Sequence, residues 1–165
     1  MFVAGGSALH FHTGERASQD VDAAFSRRIA LPDNLEVSYR DADGAAQLLY
    51  FDRQYSDALA LMHESAYEDA EPLELEGINS DVLEIRLLTP IDLAVTKIGR
   101  FSSQDRDDIV ALARRGLLHS QTLRARAEEA LDRYVGDLQR VRGNIESACR
   151  IVDDLELRSR HRQQT

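Results

Sequence analysis

Lysine is almost absent from this sequence: of its 20 basic residues all but Lys97 are arginine, tryptophan is missing, and 165 residues carry three prolines and one cysteine. The single cysteine, Cys149, excludes an internal disulfide framework and any multi-cysteine zinc site, and makes a bacterial or other cytoplasmic compartment the expectation. Long apolar runs are also missing. The longest stretch free of Asp, Glu, Lys and Arg is residues 1–14, too short to span a bilayer, so no membrane partner is expected. No basic segment precedes Arg16, and a secretory signal is therefore not expected either.

What is present is the composition of one folded domain with an appendage. A hydrophobic share of 43% beside 30% charged residues supports one ordinary core and excludes a disordered chain. The 29 acidic residues leave a net charge of −9, which argues against coating nucleic acid by bulk charge. That charge is unevenly spread. Residues 1–105 hold 8 basic and 19 acidic side chains, net −11, whereas residues 106–165 hold 12 and 10, net +2. The expected organisation is an α/β core over residues 1–100 and a helical region over 101–165 packed on it.

Patterning fills in that outline. A short apolar strand leads into Gly5-Gly6, and helical character follows from Ser7. Residues 18–25 read as a strand, in which period two puts Asp20 and Asp22 on one face. Residues 35–39 and 48–52 flank Asp41-Ala42-Asp43-Gly44, the chemistry of a hairpin turn. Weak helical character is expected over 55–67, an acidic surface loop over 68–76 and a strand over 82–88. Thr89-Pro90 supplies an N-cap and a first-turn proline for a helix reaching about Arg100, and Ser102 or Ser103 caps the next, which stops near Gly116. Beyond it Leu131, Tyr134, Leu138, Val141, Ile145, Ala148, Val152 and Leu155 are spaced as a heptad seam interrupted by Gly136 and Gly143. The seam is expected to pack inside the protein, or to contribute to a homodimer if one forms.

Two of these pieces belong together chemically. Glycines at a helix N-terminus let backbone amides approach a phosphate closely, where the helix dipole favours the anion. Two carboxylates on one strand face repel as bare anions and suit a divalent cation, Mg²⁺ being the hard ion that bridges carboxylates to phosphate oxygens. The combination points to metal-assisted attack on an α-phosphate. Isolated residues carry less. His10 and His12 have the wrong spacing for ligands on one helix face, and Cys149 reads as packing. Arginines 124, 126, 133, 140, 142 and 150 read as a solvated helix face before an RNA stripe.

Gly5-Gly6-Ser7, a spacer of about a dozen residues and Asp20-Val21-Asp22 resemble the signature of the polymerase-beta-type nucleotidyltransferase superfamily. The longer string through Ala8, Leu9, Arg16 and Ser18 is similar to the subgroup of abortive-infection toxins of type IV toxin-antitoxin pairs and their bacterial relatives. In those proteins a segment like Pro90-Ile91-Asp92-Leu93-Ala94-Val95-Thr96-Lys97 follows, then an arginine and an acidic helix start like Arg100 and Asp105-Arg106-Asp107-Asp108. The resemblance covers residues 1–118, loosely over 30–81. It implies an α/β (α+β) mixed sheet with flanking helices and a helical C-terminal extension. It also implies an NTP as substrate, with Gly5, Gly6 and Ser7 holding its triphosphate and Asp20 and Asp22 ligating Mg²⁺. By the same resemblance Lys97 neutralises phosphate charge or positions the nucleotide, and Arg100 assists; Asp105 and Asp108 orient these cations or simply serve the helix dipole. A third metal-binding carboxylate is required, Asp52 first and Glu84 as the alternative. The acceptor hydroxyl belongs to tRNA, a protein or a small molecule, and an antitoxin is the implied partner. The rival reading is a catalytically inactive module of the same fold that acts by binding.

Overall fold

The computed structural model describes residues 1–15, 18–27, 29–40, 43–53 and 60–163, without the side chains of Arg162 and Gln163. Arg16, Asp41, Ala42 and residues 55–59 of the expected features therefore lie outside the described residues. Contacts gather the chain into two units, Met1–Ser56 with Ala70–Leu88, and Asp57–Asp69 with Thr89–Thr165. The contacts thus group the Thr89-Pro90 helix with the later helices. The architecture is the expected mixture of α and β, with two mixed sheets and five α-helices among the described residues.

The first unit is built from short strands. Its elements are β1 (Phe2–Val3), α1 (Gly5–Thr13), β2 (Asp20–Val21), β3 (Ala23–Ala24), β4 (Glu36–Arg40), β5 (Ala46–Phe51), β6 (Glu71–Pro72) and β7 (Arg86–Leu87). One sheet has the order β3-β1-β7-β6 and the other β2-β5-β4. β1 runs antiparallel to β3 and parallel to β7, while β2 runs parallel to β5 and β4 antiparallel to β5. The strand expected over 18–25 is thus two strands, and Asp22 between them is where the chain passes from one sheet to the other. Val3, Ala8, Leu9, Ala23, Leu87 and Leu88 are buried and form the unit's apolar centre.

The strand expected over 82–88 shrinks to Arg86–Leu87. Its first half is drawn into a turn by Asn79, whose carbonyl accepts the N–H groups of Val82 and Leu83 and whose side chain accepts that of Asp81. This is the local side-chain competition by which Asn defeats a ladder. The two strands of the hairpin pair antiparallel as expected, with Val37 opposite Leu49 and Ser38 opposite Leu48.

In the second unit α2 (Pro90–Arg100), α3 (Ser103–Arg114), α4 (Ser120–Ala130) and α5 (Leu138–Gln163) follow one another, with a single 3-10 turn at Leu131–Arg133. The caps are those the sequence advertises. Thr89 Oγ1 accepts the Asp92 N–H at 3.2 Å, and Ser102 and Asp105 form a reciprocal capping box. Gly116, at φ 71°, closes the turn after α3 in the left-handed region that favours glycine. The described part of the weak helix, residues 60–67, holds no helix but a turn over 64–67, where Ser65 N–H bonds to His63 Nδ1 and Ala66 N–H to the His63 carbonyl.

The heptad seam is not one helix, since the chain breaks between the 3-10 turn and α5 around Gly136. Val141, Ile145, Ala148 and Val152 nevertheless form one buried stripe on α5, which packs against α2, α3 and α4 of its own unit. The stripe is therefore covered intramolecularly over those turns. No helix among the described residues is long and apolar enough to cross a membrane.

Candidate active site

The glycine turn and the aspartate segment are stitched together at three points within the first unit. Ala4 N–H donates to the Asp22 carbonyl at 2.9 Å, and Ser7 Oγ donates to the Asp20 carbonyl, also at 2.9 Å. The third contact falls at Gly5. A Cβ placed there would stand 1.7 Å from Asp22 Oδ2, and Gly5 also has φ 57°. Only glycine satisfies both demands. Gly6 is buried in the first turn of α1, and the Ala4 cap supplies no side-chain acceptor to that turn. The start of α1 thus meets a carboxylate, which the positive end of a helix favours.

Asp52 comes to the same strand from the other side. In the parallel pair of β2 and β5, Asp20 is opposite Tyr50 and Val21 opposite Phe51. The next residue, Asp52, donates its N–H to the Val21 carbonyl at 3.1 Å. Asp20, Asp22 and Asp52 are all half-buried. Glu84 stands elsewhere, its carboxylate 2.9 Å from Arg86 and its carbonyl accepting the Met1 ammonium. Of the two candidates for a third carboxylate, Asp52 is the neighbour of the aspartate segment.

The donor chemistry of Asp20, Asp22 and Asp52 suits a hard divalent ion, all oxygen and all anionic. The side chains do not converge as a finished cage: no three carboxylate, imidazole or thiol groups come together as a metal cluster among the described residues. The Asp20 carboxylate instead accepts the Ser18 hydroxyl. Beside these residues lies an apolar cavity of about 420 Å³, reached by Ser7 and Ser18 and walled by Val3, Phe11, Val21 and Leu49 among others. Its lining has no Asp, Glu, Lys or Arg, so it suits apolar groups and not a triphosphate.

Lys97 and Arg100 belong to the second unit. The Lys97 ammonium is buried, 2.6 Å from Asp108 Oδ2 and 3.9 Å from Asp105 Oδ1. Arg100 holds Asp105 through Nε and Nη2 at 2.8 and 2.7 Å. Burial alone would raise the Asp105 carboxyl, but hydrogen bonds from Arg100 and Ser102 outweigh it and hold the group below its ordinary value. In their own surroundings the two cations neutralise the acidic start of α3.

Sequence reasoning did not single out Asp92 and Arg126 as a pair. Asp92 is 1% exposed and accepts Arg126 Nε and Nη2 at 2.8 and 2.9 Å, with Thr89 Oγ1 at 2.7 Å. Arg126 also reaches Asp69, and these partners raise its pKa. The signal available was a first-turn aspartate between the apolar residues Ile91 and Leu93. Other arginines of the basic stripe are engaged as well, Arg124 with Glu128 and Arg133 with Glu64. Cys149 is buried, and burial pushes its thiol up, as suits packing.

A glycine-opened helix seated on an aspartate-bearing strand, within mixed sheets followed by helices, is a nucleotidyltransferase-type arrangement. The chain belongs to the family described as nucleotidyltransferase of unknown function (DUF6036), which matches residues 1–146. No curated protein and no solved structure matches it.

Proposed function

We propose that this protein transfers a nucleoside monophosphate from an NTP to an acceptor hydroxyl, with Mg²⁺ held by Asp20, Asp22 and Asp52. The acceptor hydroxyl releases its proton to water as its oxygen bonds to the α-phosphorus, the bond from that phosphorus to the bridging oxygen breaks, and pyrophosphate leaves. The observation that carries this reading is the direct contact of Gly5 with the Asp22 carboxylate. It supports the reading because the start of α1, where a phosphate would be held, lies against the carboxylate that would hold the ion. Asp20 accepts the Ser18 hydroxyl through Oδ1 alone among the bonds described, and a carboxylate has a second oxygen with which to ligate an ion. Lys97 and Arg100 enter through the resemblance alone. The setting that resemblance implies is a bacterial toxin-antitoxin pair in the cytoplasm, with tRNA, a protein or a small molecule as acceptor.

The test is calorimetric titration of Asp20→Asn/Asp22→Asn with NTP in the presence of Mg²⁺. The substitution keeps shape and removes charge, so affinity should fall by about 100-fold or more while the circular dichroism spectrum is retained. Unchanged affinity overturns the metal role. The second reading, a binding module without catalysis, draws on the Ser18 contact and the unconverged carboxylates. It requires that no label pass from an α-phosphate-labelled NTP to any acceptor while NTP binding persists.

A further inference from the structure

The hairpin of the first unit ends in an edge that nothing among the described residues covers. β4 lies at the end of its sheet, and all five of its residues are exposed. The pattern of hydrogen bonds fixes which of its groups face outward. Phe51 N–H donates to the Leu35 carbonyl, whereas Tyr50 and Asp52 donate to Gln19 and Val21 on the other side of β5. Odd-numbered residues of β5 therefore bond across to β4, and in an antiparallel ladder the hydrogen-bonded pairs continue as Val37 with Leu49 and Tyr39 with Gln47. The backbone groups of Glu36, Ser38 and Arg40 consequently point away from β5, at the open edge.

We propose that this edge pairs with the same edge of a second copy of the chain, antiparallel and about a two-fold axis at Ser38. The sequence of β4 is self-complementary in that register. Glu36 stands opposite Arg40 of the second copy, Val37 opposite Tyr39, and Ser38 opposite Ser38. The three outward-facing positions meet their own kind, so each exposed N–H and carbonyl on one edge finds its counterpart on the other. Opposite charges fall directly across from each other at both ends, while Val37, 60% exposed, and Tyr39, 36% exposed, acquire each other as cross-strand neighbours. A parallel pairing in register would instead bring Glu36 beside Glu36 and Arg40 beside Arg40, which like charges disfavour. Leu48 and Tyr50, exposed on β5 opposite Ser38 and Glu36, lie on the other face of the hairpin from Val37 and Tyr39. Among the described residues the Arg40 guanidinium rests on the Gly44 carbonyl through Nη1, and its other donors would serve the pair. The interface is isologous and closes at two copies.

The experiment is sedimentation equilibrium on the full chain, joined to amide hydrogen exchange read residue by residue. The native chain should show twice its 18.5 kDa mass. The amides of Glu36, Ser38 and Arg40 should gain protection as concentration rises, while those of Val37 and Tyr39 are protected throughout by β5. Arg40→Glu sets Glu36 against a like charge at both ends and should weaken association by about 10-fold or more, and Glu36→Arg should do the same. An equal mixture of the two single variants, and the double variant Glu36→Arg/Arg40→Glu, should both recover the dimer. A monomer at all concentrations up to about 100 μM overturns the proposal. So does a dimer that Arg40→Glu leaves unaffected, or one that leaves the three alternating amides unprotected.

Discussion

Among the described residues, five of the seven strands in the first unit are two residues long, whereas the second unit closes on a 26-residue helix and caps α2 and α3 with their own neighbouring side chains. The difference is one of range. Helical order in the second unit is written locally, in Thr89-Pro90-Asp92 and Ser102-Asp105, and then reinforced by a buried apolar stripe. Order at the start of the first unit depends on distant partners: Ala4 on Asp22, Ser7 on Asp20, Asp52 on Val21. The residues that stitch the first unit are also its candidate chemistry. Substitutions there should act on fold and function together, and those at the caps and buried stripe of the second unit on stability.

The sharpest break of that contrast is Arg126→Met. It keeps length and apolar character but leaves Asp92, 1% exposed, without its bidentate partner. Removing one member of a buried pair costs about 3–5 kcal/mol. Urea unfolding should show the loss, and a midpoint unchanged from the native chain would contradict the pair's role. NTP binding by the folded fraction should be unaltered.

In the first unit the corresponding break is Gly5→Ala. Its Cβ would collide with Asp22 Oδ2 in a backbone conformation that L residues seldom adopt. Gly14→Ala is the control, with φ 70° and nothing within 4 Å of an added Cβ. Conformational strain alone is worth about 1–2 kcal/mol, so Gly14→Ala should lose that much in thermal unfolding. Gly5→Ala should lose more, about 1–3 kcal/mol beyond the control, and should also lose NTP affinity. Equal losses at the two sites would mean that Asp22 simply moves aside.

The sequence disclosed what was written locally. Thr89-Pro90, Ser102 and Gly116 marked the helix boundaries because capping needs only neighbours within a few residues, and the hairpin was legible because both its strands and its turn are contiguous. The strand over 82–88 was misjudged because β-branched and apolar residues at 82–88 suggested a ladder, while one Asn at 79 offered the backbone a turn. The break of 18–25 into two strands was invisible for a different reason. It depends on two partners, β1 and β5, brought from opposite sides. At the candidate site Gly5, Ser7, Asp20 and Asp22 stood out by motif, and Asp52 by its position at a strand end. The bond of Ser18 to Asp20 and the pair of Asp92 with Arg126 could not be read, since each depends on side chains meeting in space.

Acid should expose the local character of the second unit. Asp105 titrates below its ordinary value in the folded protein, because Arg100 and Ser102 hold its charged form against the burial that opposes it. The unfolded chain binds its proton at about the ordinary value and the folded chain only at lower pH. The stabilisation is therefore complete above the ordinary carboxylate range and is lost as pH falls through it toward the folded value. Asp105→Asn should lower stability at neutral pH and flatten the acid limb of the stability profile below about pH 4. An acid limb parallel to that of the native chain would show that other carboxylates govern it.

The smallest effect is expected at an ion pair of the first unit. Arg53 Nη1 stands 2.8 Å from Asp33 Oδ1, a distance as short as those at Asp92, but the side chains are 49% and 93% exposed. Water already solvates both charges there, so the Coulomb gain is small and holding two mobile side chains offsets part of it. Asp33→Ala should change unfolding free energy by about 0.5 kcal/mol or less, and that difference should vanish at 1 M salt, where the screening length is about 3 Å. Distance is matched between this pair and Arg126 with Asp92, and burial together with the second hydrogen bond of the bidentate pair is what separates them. A loss at Asp33→Ala comparable to that at Arg126→Met would mean that the loop before β4 is held by its charges, and that the first unit too has a locally written anchor.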